Sequence, residues 1–429
     1  MAPRHHSLRT ALQSCFSDTW LRETARAHGA VARQRKVDIA RFFWALVLGF
    51  STGHERTLAQ LHRAFELASG VAISRSGFYE RFTPNLVAFL KAAVLHAVAA
   101  LADRGGTISG KLAGFHDLIV ADSSVIRLRD ALKKWYPACR TNHTRAALKL
   151  HVVMSVTGAS PRSLQIRGER THDSRLLRIG PWVKGRLLLF DLGYFSYSLF
   201  ERIDRNGGYF ISRMKISGNP KILSSNLTHR GRARSLVGQR LKEVLPHLKR
   251  QALDVMVEVN VTRRAYNGVQ RTVKKVLRLV AIYNTEAKRY HTYLTNVPPG
   301  DLVAADIGVI YGARWQVELI FKQLKTNYRI DDLPSSNRWI IESLVYASIL
   351  TMVVSRKLWL MAPAVCGVPS HRIPPSRWAS VFSTVAQLFL CLATERSTRL
   401  TVPDIIDTLL RHAVDPNASR RLTMREVAA

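Results

Sequence analysis

The sequence predicts an α/β protein flanked by helical regions. Three observations carry that reading: helical apolar spacing in residues 1–110, apolar strands alternating with a helix in the middle, and a return to helical patterning after 300. The chain has 429 residues, 47% of them hydrophobic, so it can bury real cores and is not a disordered tail or linker. Domains of roughly 100–200 residues imply two to four of them.

The elements follow in order. Thr57–Ser69 places Leu58, Leu61, Ala64, Phe65 and Ala68 along one face of a helix, with Gly70 as its cap. Ser74 can start a second, short helix. The pair has helix-turn-helix character and also fits an ordinary helical hairpin. Leu118–Leu128 is an apolar, β-branched strand. Ala146–Val156, a turn at Thr157–Gly158–Ala159–Ser160 and Ser163–Arg167 form a hairpin. Arg186–Phe190 is a buried strand, Ser196–Asp204 a helix and Tyr209–Lys215 a strand. Residues 213–250 carry ten Lys/Arg and a single acid, Glu243. Val255–Val261 and Thr272–Ile282 alternate around Asn267–Gly268, a strong hairpin turn signal. Tyr290–Thr295 adds a strand before Pro298–Pro299–Gly300. Helices follow at Asp306–Tyr328 and Trp339–Met361, and the remainder is helical with proline breaks near 363–375.

Charge narrows the partner. Sixty-four Lys+Arg against 30 Asp+Glu leave a formal charge of +34, so a polyanion is the default partner, with nucleic acid ahead of an anionic membrane. Apolar runs such as Leu344–Val354 fall short of the ~20 residues that span a bilayer. The opening MAPRHHSLRT lacks the apolar stretch of a secretory signal. Cys15, Cys139, Cys366 and Cys391 include no C-x-x-C pair and read as buried thiols of a reducing compartment. A cytoplasmic, DNA-facing protein with no membrane role fits.

Three acids carry the chemistry. Asp122 sits inside an apolar strand and Asp191 directly follows one. A buried carboxylate without a partner costs several kcal/mol, so each needs an arginine or a divalent metal beside it. The third feature is Tyr311-Gly-Ala-Arg314-Trp-Gln-Val-Glu318, continuing to Lys325. At about 100° per residue, Tyr311, Arg314, Glu318 and Lys325 project within about 60° of one another. Val317, Ile320, Phe321 and Leu324 form the adjoining apolar face. The same spacing also fits an exposed salt-bridged face, because Arg314 and Glu318 are an i, i+4 pair. His143, His151 and His172 match no zinc spacing and read as core or DNA-facing histidines. Arg213 and Lys215, at a strand end, are candidate phosphate contacts or a solvated end. The basic tract reads as a surface for the DNA backbone.

Together these residues resemble the cut-and-paste DDE transposases of the insertion sequence 4 family. The order Asp122, Asp191, Glu318 and the Y-(2)-R-(3)-E-(6)-K spacing carry the resemblance. Asp191-Leu-Gly193-Tyr194 looks like the family's D-x-G-(F/Y) motif, and Asp122-Ser-Ser like its first aspartate strand. Lys149-Leu150-His151, Thr171-His172-Asp173-Ser174 and Leu294–Pro298 are similar to recurrent family stretches. The resemblance spans about 115–350.

It implies a ribonuclease H-like catalytic core interrupted by a β-rich insert, with helical N- and C-terminal regions. The expected boundaries are 1–110 (helical, DNA-binding), 111–216 (first part of the core), 217–300 (basic β-rich insertion), 301–362 (second part, with the signature helix) and 363–429 (helical). The implied activity is binding of terminal inverted repeats, cleavage through a hairpin intermediate and joining of 3′ ends to target DNA by a DNA-bound homodimer. Asp122, Asp191 and Glu318 would hold two Mg²⁺, with Mn²⁺ able to substitute, which relieves the repulsion of clustered carboxylates. Arg314, Lys325 and Tyr311 would hold phosphates of the double-stranded DNA. No Trp lies between Trp182 and Trp315, so Tyr283, Tyr290 or Tyr293 would stack an extruded base. A DNA-binding protein without cleavage activity, and a ribonuclease H-like repair or defence nuclease, are the competing readings.

Overall fold

The computed structural model describes residues 12–31, 36–52, 55–102, 110–139, 144–156, 160–215, 217–226, 228–229, 232–233, 236–264, 270–369, 372–394 and 402–415. The expected turns at Thr157–Ala159 and Asn267–Gly268, and His143, lie outside the described residues.

The N-terminal part is helical: α1 (Asp18–Ala27), α2 (Ile39–Trp44, running into a π-helical turn Ala45–Phe50), α3 (Leu58–Ser69), α4 (Arg75–Tyr79) and α5 (Pro84–Ala102). In α3 the expected stripe is the buried one: Leu61, Ala64, Phe65 and Ala68 face inward, Thr57 caps the start and Gly70, at φ 69°, closes the end in the left-handed region. Ser74 caps α4, which is only five residues long and turns Phe78 into the core.

Strands β1 (Asp117–Leu128), β2 (Ala146–Ser155) and β3 (Ser160–Gly168) form an antiparallel meander. After the short helix α6 (Asp173–Leu176), β4 (Arg186–Phe190) pairs parallel to β1. Helix α7 (Tyr197–Arg205) then crosses to β5 (Tyr209–Arg213), parallel to β4. The resulting order β3-β2-β1-β4-β5 is the ribonuclease H-like arrangement. The basic segment supplies β6 (Lys221–Ser225), the small hairpin β7 (Thr228–His229) and β8 (Arg232–Ala233), helix α8 (Leu241–Val244), and β9 (Leu253–Arg264), β10 (Gln270–Asn284) and β11 (Arg289–Thr295). Because β11 pairs with β5, these strands extend the same sheet to nine: β3-β2-β1-β4-β5-β11-β10-β9-β6.

Period-two alternation divides the sheet into two cores. Leu118, Val120, Ile126, Leu187, Leu189, Ile211, Val280 and Tyr293 face the larger core, shared with most of the helices. Ile119, Ala121, Leu188, Phe190 and Phe210 face the other, covered by α7 and α8. Inside the sheet the Arg278 guanidinium grips Asp254 through two bonds (2.9 and 2.6 Å) and donates to the carbonyls of Val297 (3.1 Å) and Leu302 (2.8 Å). That pair anchors the chain where it leaves β11 for the signature helices.

Three expectations are corrected here. The single helix over Asp306–Tyr328 is instead α9 (Ala304–Tyr311), a 3₁₀ turn Gly312–Arg314 and α10 (Trp315–Thr326). The apolar run ending at Val354 belongs to the 29-residue α11 (Arg338–Cys366), followed by α12 (Pro375–Ala393) and α13 (Val402–Ala413). Its Arg338–Ala362 stretch is long and apolar enough to cross a membrane, yet 83% of its most apolar window is buried within this chain. Buried Ser343, Ser348, Thr351 and Ser355 had hidden that length in the sequence. Finally, Cys139 is exposed, while Cys15 is buried and Cys391 partly so.

Candidate active site

Register brings the two aspartates together. Ala121 pairs with Phe190 and Phe190 with Ser212 across the parallel strands. The next position along each strand is Asp122, Asp191 and Arg213, and Arg213 pairs onward with Tyr293 of β11. Alternation turns this row toward the larger core, because Asp122 follows Leu118 and Val120, and Asp191 follows Leu187 and Leu189, at two-residue steps. Helix α10 covers that face by burying Val317, Ile320, Phe321 and Leu324, the apolar stripe the spacing predicts. Glu318 is thereby held over the strand that bears Asp122.

Electrostatics records the crowding. Burial pushes the Asp122 carboxyl up to about 6; Asp191 and Glu318 add to the rise, while the Ser123 N–H (2.7 Å) and Arg314 oppose it. Arg314 bridges the acids, with Nη2 at 2.5 Å from Glu318 Oε1 and Nη1 at 3.5 Å from Asp122 Oδ2. The i, i+4 ion pair that spacing allowed is therefore present, and it extends to the first aspartate.

The other expected residues are distributed unevenly. Lys325 Nζ donates to Val125 O (3.2 Å), three residues along β1 from Asp122. Tyr311 ends α9, just before the 3₁₀ turn. Its ring is buried against Tyr293 (5.1 Å between centroids) and its hydroxyl donates to Phe190 O (3.1 Å), so it braces the residue before Asp191. Arg213 stands in the carboxylate row, and Lys215 Nζ lies 5.7 Å from the Phe195 ring centroid, at the turn after Asp191. The three stacking candidates fall in two places. Tyr293 is buried, and Tyr283 and Tyr290 pair with each other (5.3 Å) on the opposite face, an odd number of residues from Val280 and Tyr293.

Sequence reading missed Trp315. It is 58% exposed at the start of α10, one turn before Glu318, with exposed Leu319 and Leu192 nearby in sequence to the two acids. On the helical wheel it falls only about 40° from Tyr311, which would have flagged it. Of the histidines among the described residues, His151 is fully buried and His172 caps α6.

Among the described residues no three His, Cys, Asp or Glu side chains stand as a ready metal cage, since Arg314 lies between the acids. The donor chemistry nevertheless suits Mg²⁺: three carboxylates, with no sulfur or imidazole among them. Burial, with Asp191 and Glu318 beside it, disfavours the charged form of Asp122, and a divalent cation would relieve that cost.

A ribonuclease H-like sheet with acids at adjacent strand positions and on the covering helix is the architecture of enzymes that cut and join phosphodiester bonds. Comparison with known proteins narrows the class. The transposase DDE domain profile matches residues 113–354, more than half of the chain, and the chain belongs to that family. It is 24% identical over 386 residues to the transposase for insertion sequence element IS231B of Bacillus thuringiensis subsp. berliner, covering 80% of this chain and 79% of that protein. It is 21% identical over 326 residues to the IS1151 transposase of Clostridium perfringens, covering 70% of this chain and 69% of that one. Its fold aligns at TM-score 0.47 and 8% identity with the piggyBac transposase in a synaptic complex with hairpin DNA, over 95% of this chain and 85% of that one. As a member of this family, the protein is a transposase, a DNA-cleaving enzyme.

Proposed function

We propose that this transposase binds the terminal inverted repeats of an insertion sequence, cuts both strands at each end with Mg²⁺ (or Mn²⁺) and joins the 3′ ends to target DNA. The observation that carries this reading is the side-by-side placement of Asp122 and Asp191 beneath Glu318. These three carboxylates would hold two metal ions, which when bound activate the attacking hydroxyl and stabilise the leaving oxygen.

The chain's own residues do the rest. Arg314 is the counter-ion of the acids in the protein alone; on DNA its planar fork pairs with a phosphate beside the cut, where Lys325 adds a point charge. Tyr311 keeps the backbone before Asp191 in place through Phe190 O. Arg213 and Lys215 continue the cationic lining along the sheet end. The exposed indole of Trp315 offers the stacking platform for a base displaced in a hairpin intermediate. The helices of 1–110 and the basic strands of 217–300 contact the DNA backbone around the core of 111–216 and 301–362, and a homodimer in the bacterial cytoplasm holds two ends at once.

Purified protein is expected to nick and release a duplex carrying the element's ends in Mg²⁺ and to join the released end to plasmid DNA. Asp122→Asn, Asp191→Asn and Glu318→Gln should each abolish cutting while retaining end binding; cutting at the wild-type rate by any of them would overturn the site assignment. One observation favours DNA binding without cleavage, namely the Arg314 bridge that fills the space between the acids. That alternative stands if the wild-type protein binds ends and cuts none at any Mg²⁺ or Mn²⁺ concentration. A nuclease would cut without joining.

A further inference from the structure

On the face of the sheet away from the carboxylates lies a polar cluster that the chemistry above does not use. Ser123, Lys149 and His151 share the face of Ile119, Ala121 and Val153, on the side of the smaller core, with Lys149 and His151 buried and Ser123 half-buried. Asp173, at the start of α6, is its hub. Asp173 Oδ1 accepts from Ser123 Oγ (2.6 Å) and from Lys149 Nζ (2.9 Å), and Lys149 also donates to Thr171 O (2.8 Å). The other carboxylate oxygen faces Gly193, so near that a methyl group there would lie 3.4 Å from it.

Two of the groups beside Asp173 lie next to the two aspartates in the chain: Ser123 directly follows Asp122, and Gly193 lies two residues past Asp191. Ser123 uses its hydroxyl on Asp173 and its backbone N–H on Asp122 Oδ1, so one residue links the two carboxylates through the strand. Gly193 sits in the 3₁₀ turn Leu192–Tyr194 that Asp191 begins. Lys149 is 9% exposed in the middle of β2 and keeps the Asp173 charge compensated where water is scarce.

We infer that Asp173 is a positioning residue: through Ser123 and the Gly193 turn it sets the spacing and orientation of Asp122 and Asp191 toward divalent metal, without touching metal or DNA itself. The inference rests on the proposed metal chemistry and adds a second layer of support to it. Partners that orient metal ligands from behind are worth about ten- to a hundredfold in metal affinity.

The test measures Mn²⁺ uptake by the full-length protein without DNA, from the loss of the free-ion electron paramagnetic resonance signal. Half-maximal Mg²⁺ for end cleavage and the melting temperature are measured on the same samples. Asp173→Asn and Ser123→Ala are expected to weaken Mn²⁺ binding about tenfold and to raise half-maximal Mg²⁺ in proportion, with melting and end binding retained. The double variant should bind Mn²⁺ no more weakly than the worse single one, because both changes break one linkage. Mn²⁺ affinity within about twofold of wild type in both single variants would overturn the inference, since a support of this kind carries at least tenfold. Should Asp173→Asn fail to fold, Ser123→Ala, which deletes one half-buried hydroxyl, decides alone. Wild-type protein that takes up no Mn²⁺ would instead sink the metal reading and this inference with it, an outcome separable from the first.

Discussion

Arg314 Nη1 stands 3.5 Å from Asp122 Oδ2, joining the covering helix layer to strand β1. The same guanidinium holds Glu318 at 2.5 Å, so a metal ion and Arg314 compete for the same oxygens. Arg314→Ala is therefore expected to move two measurements in opposite directions. Mn²⁺ uptake by the protein alone should strengthen, because a competing cation is gone. Single-turnover cleavage should fall by about a hundredfold, because a charge-stabilising donor at the transition state is gone. Arg314→Lys should recover part of the rate and lack the two-bond phosphate grip. Parallel losses in both measurements would contradict this role.

Asp122 should make the metal-free protein less stable than it could be. Burial raises its pKa from 3.8 to about 6, so between those values the folded state keeps a proton that the unfolded chain has released. Stability then falls as pH rises through that window, and the full cost, on the order of 3 kcal/mol, applies above about pH 6. Asp122→Asn carries no charge to desolvate. It should unfold at higher urea than wild type at pH 8 in chelator, with the advantage gone near pH 3.5. An advantage that persists unchanged in acid would exclude this cause.

His151 should act with the opposite sign. Burial lowers its pKa from 6.5 to about 4, with Lys149 lowering it further and Asp173 opposing. Among the described residues neither ring nitrogen has a hydrogen-bond partner. The unfolded chain takes up the proton first, so stability is complete above about pH 6.5 and is lost as pH falls toward 4, by on the order of 3 kcal/mol. His151→Phe should flatten the decline of the urea midpoint between pH 7 and pH 4.5. A decline as steep as that of wild type would show that another group carries it.

The elements were legible wherever periodicity and burial agree. Leu118–Leu128 alternates with one face in each core, and Arg186–Phe190 is apolar on both sides, so both read as strands from sequence and are strands in the fold. Val317, Ile320, Phe321 and Leu324 likewise announce the buried side of α10. What the pattern could not carry was phase and long-range pairing. The 3₁₀ turn at Gly312–Arg314 breaks the uniform 100° count, and Tyr311 braces the core through Tyr293 and Phe190 O, contacts between distant segments that helical spacing does not show. The pairing of β11 with β5, which merges the basic segment into the catalytic sheet, depends on residues some 80 apart and leaves no local trace. The placement of the tyrosines was hidden for a simpler reason: side-chain alternation along β10 and β11 assigns Tyr283 and Tyr290 to the far face, and sequence shows alternation without showing which face carries the acids.

The buried pair of Arg278 and Asp254 supplies a test of how the signature helices are held in place. Arg278 is 1% exposed, is bound twice to Asp254 and spends a third nitrogen on the carbonyls of Val297 and Leu302, the segment that leads into α9. Arg278→Ala strands the Asp254 charge inside the sheet and frees both carbonyls, a loss expected at about 3–5 kcal/mol in urea unfolding. Arg278→Met with Asp254→Leu removes both charges together and fills the space, so most of that loss should return. The two carbonyls remain unpaired in the double variant, and they are what orient the Val297–Leu302 segment. The double variant is therefore expected to regain stability while still cutting DNA more slowly than wild type, with its loop amides exchanging hydrogen faster. Full recovery of cleavage alongside stability would show that the pair only holds the sheet together and does not align α9 and α10 over the aspartates.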